Sequence, residues 1–87
     1  MPDDEIRRAR TLRIAQTGDN KRRAKIQMAG VAAKYKKLKD AMIVGSISKA
    51  SFEKGYKLAA QQIAAYRKDF SEKQQSIDES WALVVAR

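Results

Sequence analysis

Cysteine and histidine are both missing from this chain. Without cysteine there is no disulfide and no thiolate metal site; without histidine the commonest general base near neutral pH and the commonest nitrogen ligand for zinc are gone. Proline occurs once, at Pro2, and glycine four times, at positions 18, 30, 45 and 55, so little interrupts a helix. No alternating run of β-branched residues reads as a strand. The longest aliphatic run, Ala82 to Ala86, is far below the roughly 20 residues of a membrane span. The opening Met1-Pro2-Asp3-Asp4-Glu5 lacks the basic-then-apolar pattern of a secretory leader. With 87 residues the chain is one domain or less and its core is thin. No P-loop, calcium loop, nucleophile elbow or dinucleotide fingerprint is present, and Asp69, Glu72, Asp78 and Glu79 have no spacing suited to paired acid and base work. The expectation is a soluble, non-enzymatic binding protein that uses no cofactor or metal. It is made in the cytoplasm, and stays there or enters a virion assembled there.

What the chain has in excess is positive charge: 19 Lys and Arg against 10 Asp and Glu, a net of +9. Residues 1 to 40 hold twelve basic and five acidic side chains and residues 41 to 87 hold seven and five, so the bias is +7 against +2. Such a field favours a polyanion or an acidic protein surface as partner and accelerates encounter more than it fixes specificity. The candidate nucleic-acid contacts are Arg7, Arg8, Arg10 and Arg13, then Lys21, Arg22, Arg23 and Lys25, then Lys34, Lys36, Lys37 and Lys39. Guanidinium groups grip phosphate bidentately and lysines meet it as point charges, so affinity would be salt-dependent and carry little sequence preference. The four early arginines spread around a helix, and Asp3 and Asp4 can pair with Arg7 and Arg8 one turn on. The lysines at 34 to 39 also suit a solvated rim whose stems cover the edges of a packing seam. Arg22-Arg23-Ala24-Lys25 resembles, over about five residues, the arginine-rich RNA-binding helices of phage antitermination proteins, and no binding role is carried over from it.

The pattern predicts an all-α fold. Pro2 with Asp3, Asp4 and Glu5 suits a first helical turn, giving a basic helix over about 3–16. Thr17-Gly18-Asp19-Asn20 predicts a turn, with Asp19 or Asn20 capping the next helix. Ala24, Met28, Val31, Tyr35, Leu38 and Met42 form a seam on a helix over about 20–44. Phe52, Tyr56, Ala59, Ile63, Tyr66 and Phe70 form another on a helix over about 49–75, capped by Ser48. These two helices predict an antiparallel hairpin with Met42 near Phe52, Leu38 near Tyr56 and Tyr35 near the level of Ala59 and Ile63. The rhythm then passes through Lys73, Ile77 and Ser80, and Ser76 with Glu79 suits a capping box opening a separate short helix over 76–87; an uninterrupted helix to about residue 86 is the alternative. The chain thus divides into a basic arm (1–19), a hairpin (20–75) and a tail (76–87).

Leu38, Met42, Gly45-Ser46-Ile47-Ser48, Phe52-Glu53 and Tyr56 resemble the turn of the short C-terminal helical hairpin domain known as SHOCT, and hairpins near the ends of recombinases. The resemblance covers residues 38–57. It implies a glycine that ends one helix, an isoleucine that plugs the turn and a serine that caps the next helix, and it implies no activity.

A hairpin cannot bury all of the apolar surface present. Ala29, Gly30 and Ala33, together with Leu58, fall off the seams, and Trp81, Leu83 and Val84 crowd the tail. These seven residues are the candidate protein interface, since small side chains admit a neighbouring helix and an aromatic among aliphatics is a common interface core. For Trp81, Leu83 and Val84 a place in the chain's own core is the competing expectation. The aromatic seam residues belong to packing rather than base stacking. The functional expectation is a helical subunit of a larger assembly that binds nucleic acid, DNA or RNA, through its basic half and other protein subunits through its apolar faces. A small phage or mobile-element protein fits this size and charge. The alternative is a small regulator or inhibitor that docks the basic face on an acidic or nucleic-acid-binding surface of a partner protein; neither involves a membrane or a small-molecule substrate.

Overall fold

The computed structural model describes residues 3–86 and consists of two long antiparallel helices, α1 (Asp3–Ile43, 41 residues) and α2 (Lys49–Val85, 37 residues). The all-α hairpin is as the seams predict. The helix bounds differ, and the basic arm is part of the hairpin. At 1.5 Å per residue α1 alone is about 60 Å long, which matches the longest dimension of the 65 × 15 × 8 Å rod. The expected role of Pro2 at the first turn lies outside the described residues, as does Arg87 at the end of the predicted tail.

The turn is built as its residues dictate. Gly45 adopts φ +82°, the left-handed conformation that costs a side-chain-bearing residue about 1–2 kcal/mol. Its N–H donates to Met42 O (3.1 Å) and the Ser46 N–H donates to Ala41 O (2.8 Å), the paired bonds of a Schellman ending. Ser48, in extended conformation, then caps α2 by accepting from the Ser51 N–H at 3.1 Å.

Beyond the turn the seam is apolar. Tyr35 lies between Phe52 and Tyr56, with ring centroids 6.1 and 5.9 Å away. Leu38 rests on Gly55, where an added Cβ would come within 2.5 Å of a leucine methyl; the Leu38 side chain fills the space that the glycine leaves. The helices keep one register along their length, because Asn20 meets Phe70 and Gln74, and Arg13 meets Asp78 and Trp81 at the far end.

Two segment boundaries differ from expectation. Thr17-Gly18-Asp19-Asn20 is helical, not a turn. The groups that would have closed a turn are used across the hairpin: the Asn20 side-chain amide donates to Phe70 O and to Gln74 Oε1 (both 3.2 Å), and Gln74 donates to Thr17 Oγ1 at 3.1 Å. Tertiary bonds therefore override the local turn preference. Likewise α2 passes through residues 71–76 without a break, and Ser76 is no cap: its carbonyl accepts from the Ser80 hydroxyl inside the helix at 3.0 Å. The seam in this stretch shifts by one residue from Lys73 and Ser80, which are exposed, to Gln74 and Trp81, which are half-buried. The expected Asp3 and Asp4 pairing with Arg7 and Arg8 is not among the ion pairs of the described residues.

The interior is very small. Among the described residues only Val31 (4% exposed) and Asn20 (2%) are buried. Gly45→Ala is expected to destabilise the hairpin by about 1 kcal/mol through the strained cap; chemical denaturation followed by helical circular dichroism checks this, and an unchanged midpoint would contradict the cap's role.

Candidate nucleic-acid interface

Because α1 is unbroken, its basic residues keep one rotational frame from end to end. At 100° per residue Arg7, Arg10, Lys21, Lys25, Lys36 and Lys39 fall within about 80° of arc on one flank, spread over about 48 Å. Lys21 and Met28 line a shallow depression there with Arg67 of α2, and Ile14 lines the next one. None of these six α1 cations takes part in an ion pair among the described residues. The remaining candidates lie elsewhere. Arg8, Arg23, Lys34 and Lys37 belong to the opposite flank, where Arg8 borders a depression with Leu12 and Lys34 one with Leu58. Arg22 points away from α2 and pairs with Asp19.

Three candidates are engaged inside the chain. Arg13 sits on the seam, donating from Nε and Nη2 to Asp78 Oδ1 (3.3 and 3.1 Å), with its guanidinium 5.7 Å from the centroid of the Trp81 ring. Arg23 reaches Asp69 at 3.4 Å and donates to Asn20 Oδ1, and Asp69 also pairs with Lys73 at 3.1 Å. Arg22 and Asp19 are both largely exposed, so their pair leaves the guanidinium accessible.

Of the candidate protein contacts, Ala29, Gly30, Ala33, Leu58 and Leu83 are exposed, Leu58 at 56% and Leu83 at 68%. Trp81 and Val84 are half-buried on the seam against α1. The polar layer of Thr17, Asn20, Gln74 and Asp78 is the feature that sequence reading missed. Its signal was available, since continuing the 4-and-3 spacing back from Ala24 reaches Asn20, Thr17 and Arg13. Gly18 and the turn-forming residues around it concealed that continuity.

The open grooves have no cluster of acids that could hold a metal among the described residues. No helix among those residues is long and apolar enough to cross a membrane. Compared with known families, curated proteins and solved structures, the chain matches none. The surface itself therefore carries the functional argument.

Arg13→Ala removes both the carboxylate pair and the cover of Trp81. With side chains 43% and 47% exposed, the Arg13–Asp78 pair contributes at most about 1 kcal/mol. The more sensitive readout is the chain's single tryptophan: its emission is expected to shift red and to become more accessible to a neutral quencher. An unaltered spectrum would show that the open end of the hairpin does not depend on this contact.

Proposed function

We propose that this chain is a non-enzymatic helical subunit that binds the backbone of a nucleic acid through the cationic flank of α1 and packs on protein through the opposite flank. The observation that carries the reading is the continuity of α1 through residues 17–20. A break there would leave the arginines before it free to rotate relative to the lysines after it. Without the break, six cations line up on one side. Phosphates in a duplex recur along the axis at intervals of a few ångströms, so a straight rod of about 48 Å meets many of them and releases their counterions. The aromatics nearest this flank, Tyr66 and Phe70, are half-buried on the seam where they line the depression beside Lys21 and Arg67, and Tyr35, Phe52 and Tyr56 pack on one another at the loop end, which supports backbone contact over base reading.

Fluorescence anisotropy with duplex DNA, single-stranded DNA and RNA at two salt concentrations tests the reading. Binding is expected to weaken steeply as salt rises. Lys21→Ala combined with Lys25→Ala should reduce the log–log salt slope by roughly 0.9 per lost duplex phosphate contact. Arg22→Ala with Arg23→Ala should have a smaller effect, because Arg23 is engaged with Asp69 and Asn20 and both lie off the cationic flank. Failure to bind any of the three polymers at low salt would sink the proposal and leave an acidic protein surface as the partner.

A further inference from the structure

The rod exposes 6813 Å², whereas a compact chain of 9.8 kDa exposes about 5,200 Å². Its radius of gyration is 19.6 Å against about 12 Å for a globular chain of this length. About 1,600 Å² of surface that a compact domain would hide is therefore open, and a standard protein interface hides roughly 800 Å² per partner. The surplus is enough for an obligate helical dimer.

The flank opposite the cations has the chemistry for it. Ile26 (72% exposed), Gly30 and Ala33 of α1 share that side with Leu58 and Ala65 of α2, the latter two bordering an apolar groove between the helices. Gly30 is informative. An exposed glycine in a helix interior is about 1 kcal/mol less favourable than alanine, and a Cβ placed there meets nothing within 4 Å. Nothing in the chain itself requires it. Gly55, by contrast, is filled over by the Leu38 side chain of the facing helix, so this molecule already uses glycine where another helix packs onto it.

Charge separates the possible occupants. The cationic flank repels a second copy, but on the apolar flank α1 places Asp19 among Arg8, Arg23, Lys34 and Lys37, with Asp40 on the outer side of the helix beside Arg22, and α2 adds Asp69. Both signs on one face make it complementary to itself, as a two-fold contact requires. We infer that a second copy of this chain docks across the Ile26, Gly30, Ala33 and Leu58 face, giving a four-helix dimer with its cationic flanks outward. The inference does not rest on nucleic-acid binding.

Sedimentation equilibrium of the full chain, up to roughly 100 μM so that micromolar affinities are saturated, is expected to give twice the 9.8 kDa chain mass. Gly30→Leu improves helix propensity while blocking close approach, so it should weaken association about tenfold or more with helicity retained. Ile26→Glu should act in the same direction, and Lys21→Ala with Lys25→Ala should leave the mass unchanged. Because the chain has no cysteine, Ala33→Cys and Lys25→Cys provide a readout independent of those variants' folding. Thiol labelling of the first should slow as protein concentration rises, and labelling of the second should not. A monomer at every concentration, a dimer indifferent to Gly30→Leu and Ile26→Glu, or equal labelling of the two cysteines would each overturn the inference, leaving this face to a foreign protein.

Discussion

Two helices laid side by side share one line of contact, and each residue has only that line in which to leave water. Every seam position therefore matters, while the other faces of both helices stay wet. In this chain the line is divided. Near the turn it holds Val31, Tyr35, Leu38 and Phe52, with Leu38 seated on Gly55. Toward the open end it holds Asn20, Thr17 and Gln74, then Arg13 with Asp78 and Trp81. Burying the first group is favourable in proportion to apolar area, whereas the second must satisfy its polar atoms to avoid a penalty. The layer around Asn20 fixes register more than it adds stability, because a slip by one turn would leave a buried amide unpartnered. The turn end is the more firmly held, and the open end is where local opening begins.

Much of this was legible from residue spacing, and the part that was not has a common physical cause. The seam from Ala24 to Met42 and that from Phe52 to Phe70 were readable because apolar side chains at 4-and-3 spacing have few alternatives to facing a neighbour. The turn was readable because glycine and serine there do locally what their chemistry favours: Gly45 takes positive φ and Ser48 caps. The errors arose where polar residues occupy the seam. Thr, Gly, Asp and Asn in succession favour a turn in isolation, and only the presence of Gln74 and Phe70 opposite makes helix the better solution for Asn20. The same holds for Ser71 to Ser76, where Gln74 and Asp78, not an apolar residue, continue the contact. A polar seam has no hydrophobic period to betray it.

The candidate surface followed the same division. That the first half of the chain is basic was plain from counting, but which cations act together was not, because a predicted break at Gly18 left the rotation of the arm undefined. The arm's arginines also separate into two kinds that composition cannot distinguish. Arg13 and Arg23 are used within the hairpin, on Asp78 and Asp69, and Arg7 and Arg10 are not. Trp81, one of the few large apolar residues of the tail, is covered by Arg13 in the same way.

The polar layer and the surface are consequently one problem. A straight helix has a single rotational degree of freedom relative to its partner, and Asn20 fixes it by pointing at Phe70 and Gln74. Once that angle is set, the helical period decides that Lys21, Lys25 and Lys39 lie to one side of the seam and Ile26, Gly30 and Ala33 to the other. The two flanks then differ in what they can approach. One presents six cations with Asp3 at its end and repels its own copies; the other mixes both signs around small side chains. A net charge of +9 spread over both flanks would oppose self-association everywhere. On the other flank Arg8, Lys34 and Lys37 are outside the ion pairs of the described residues, while Arg23 and Lys73 are offset by Asp69, so the opposition there is reduced rather than removed. A chain too thin to bury its own apolar surface can thus find cover for it there without covering the cationic flank.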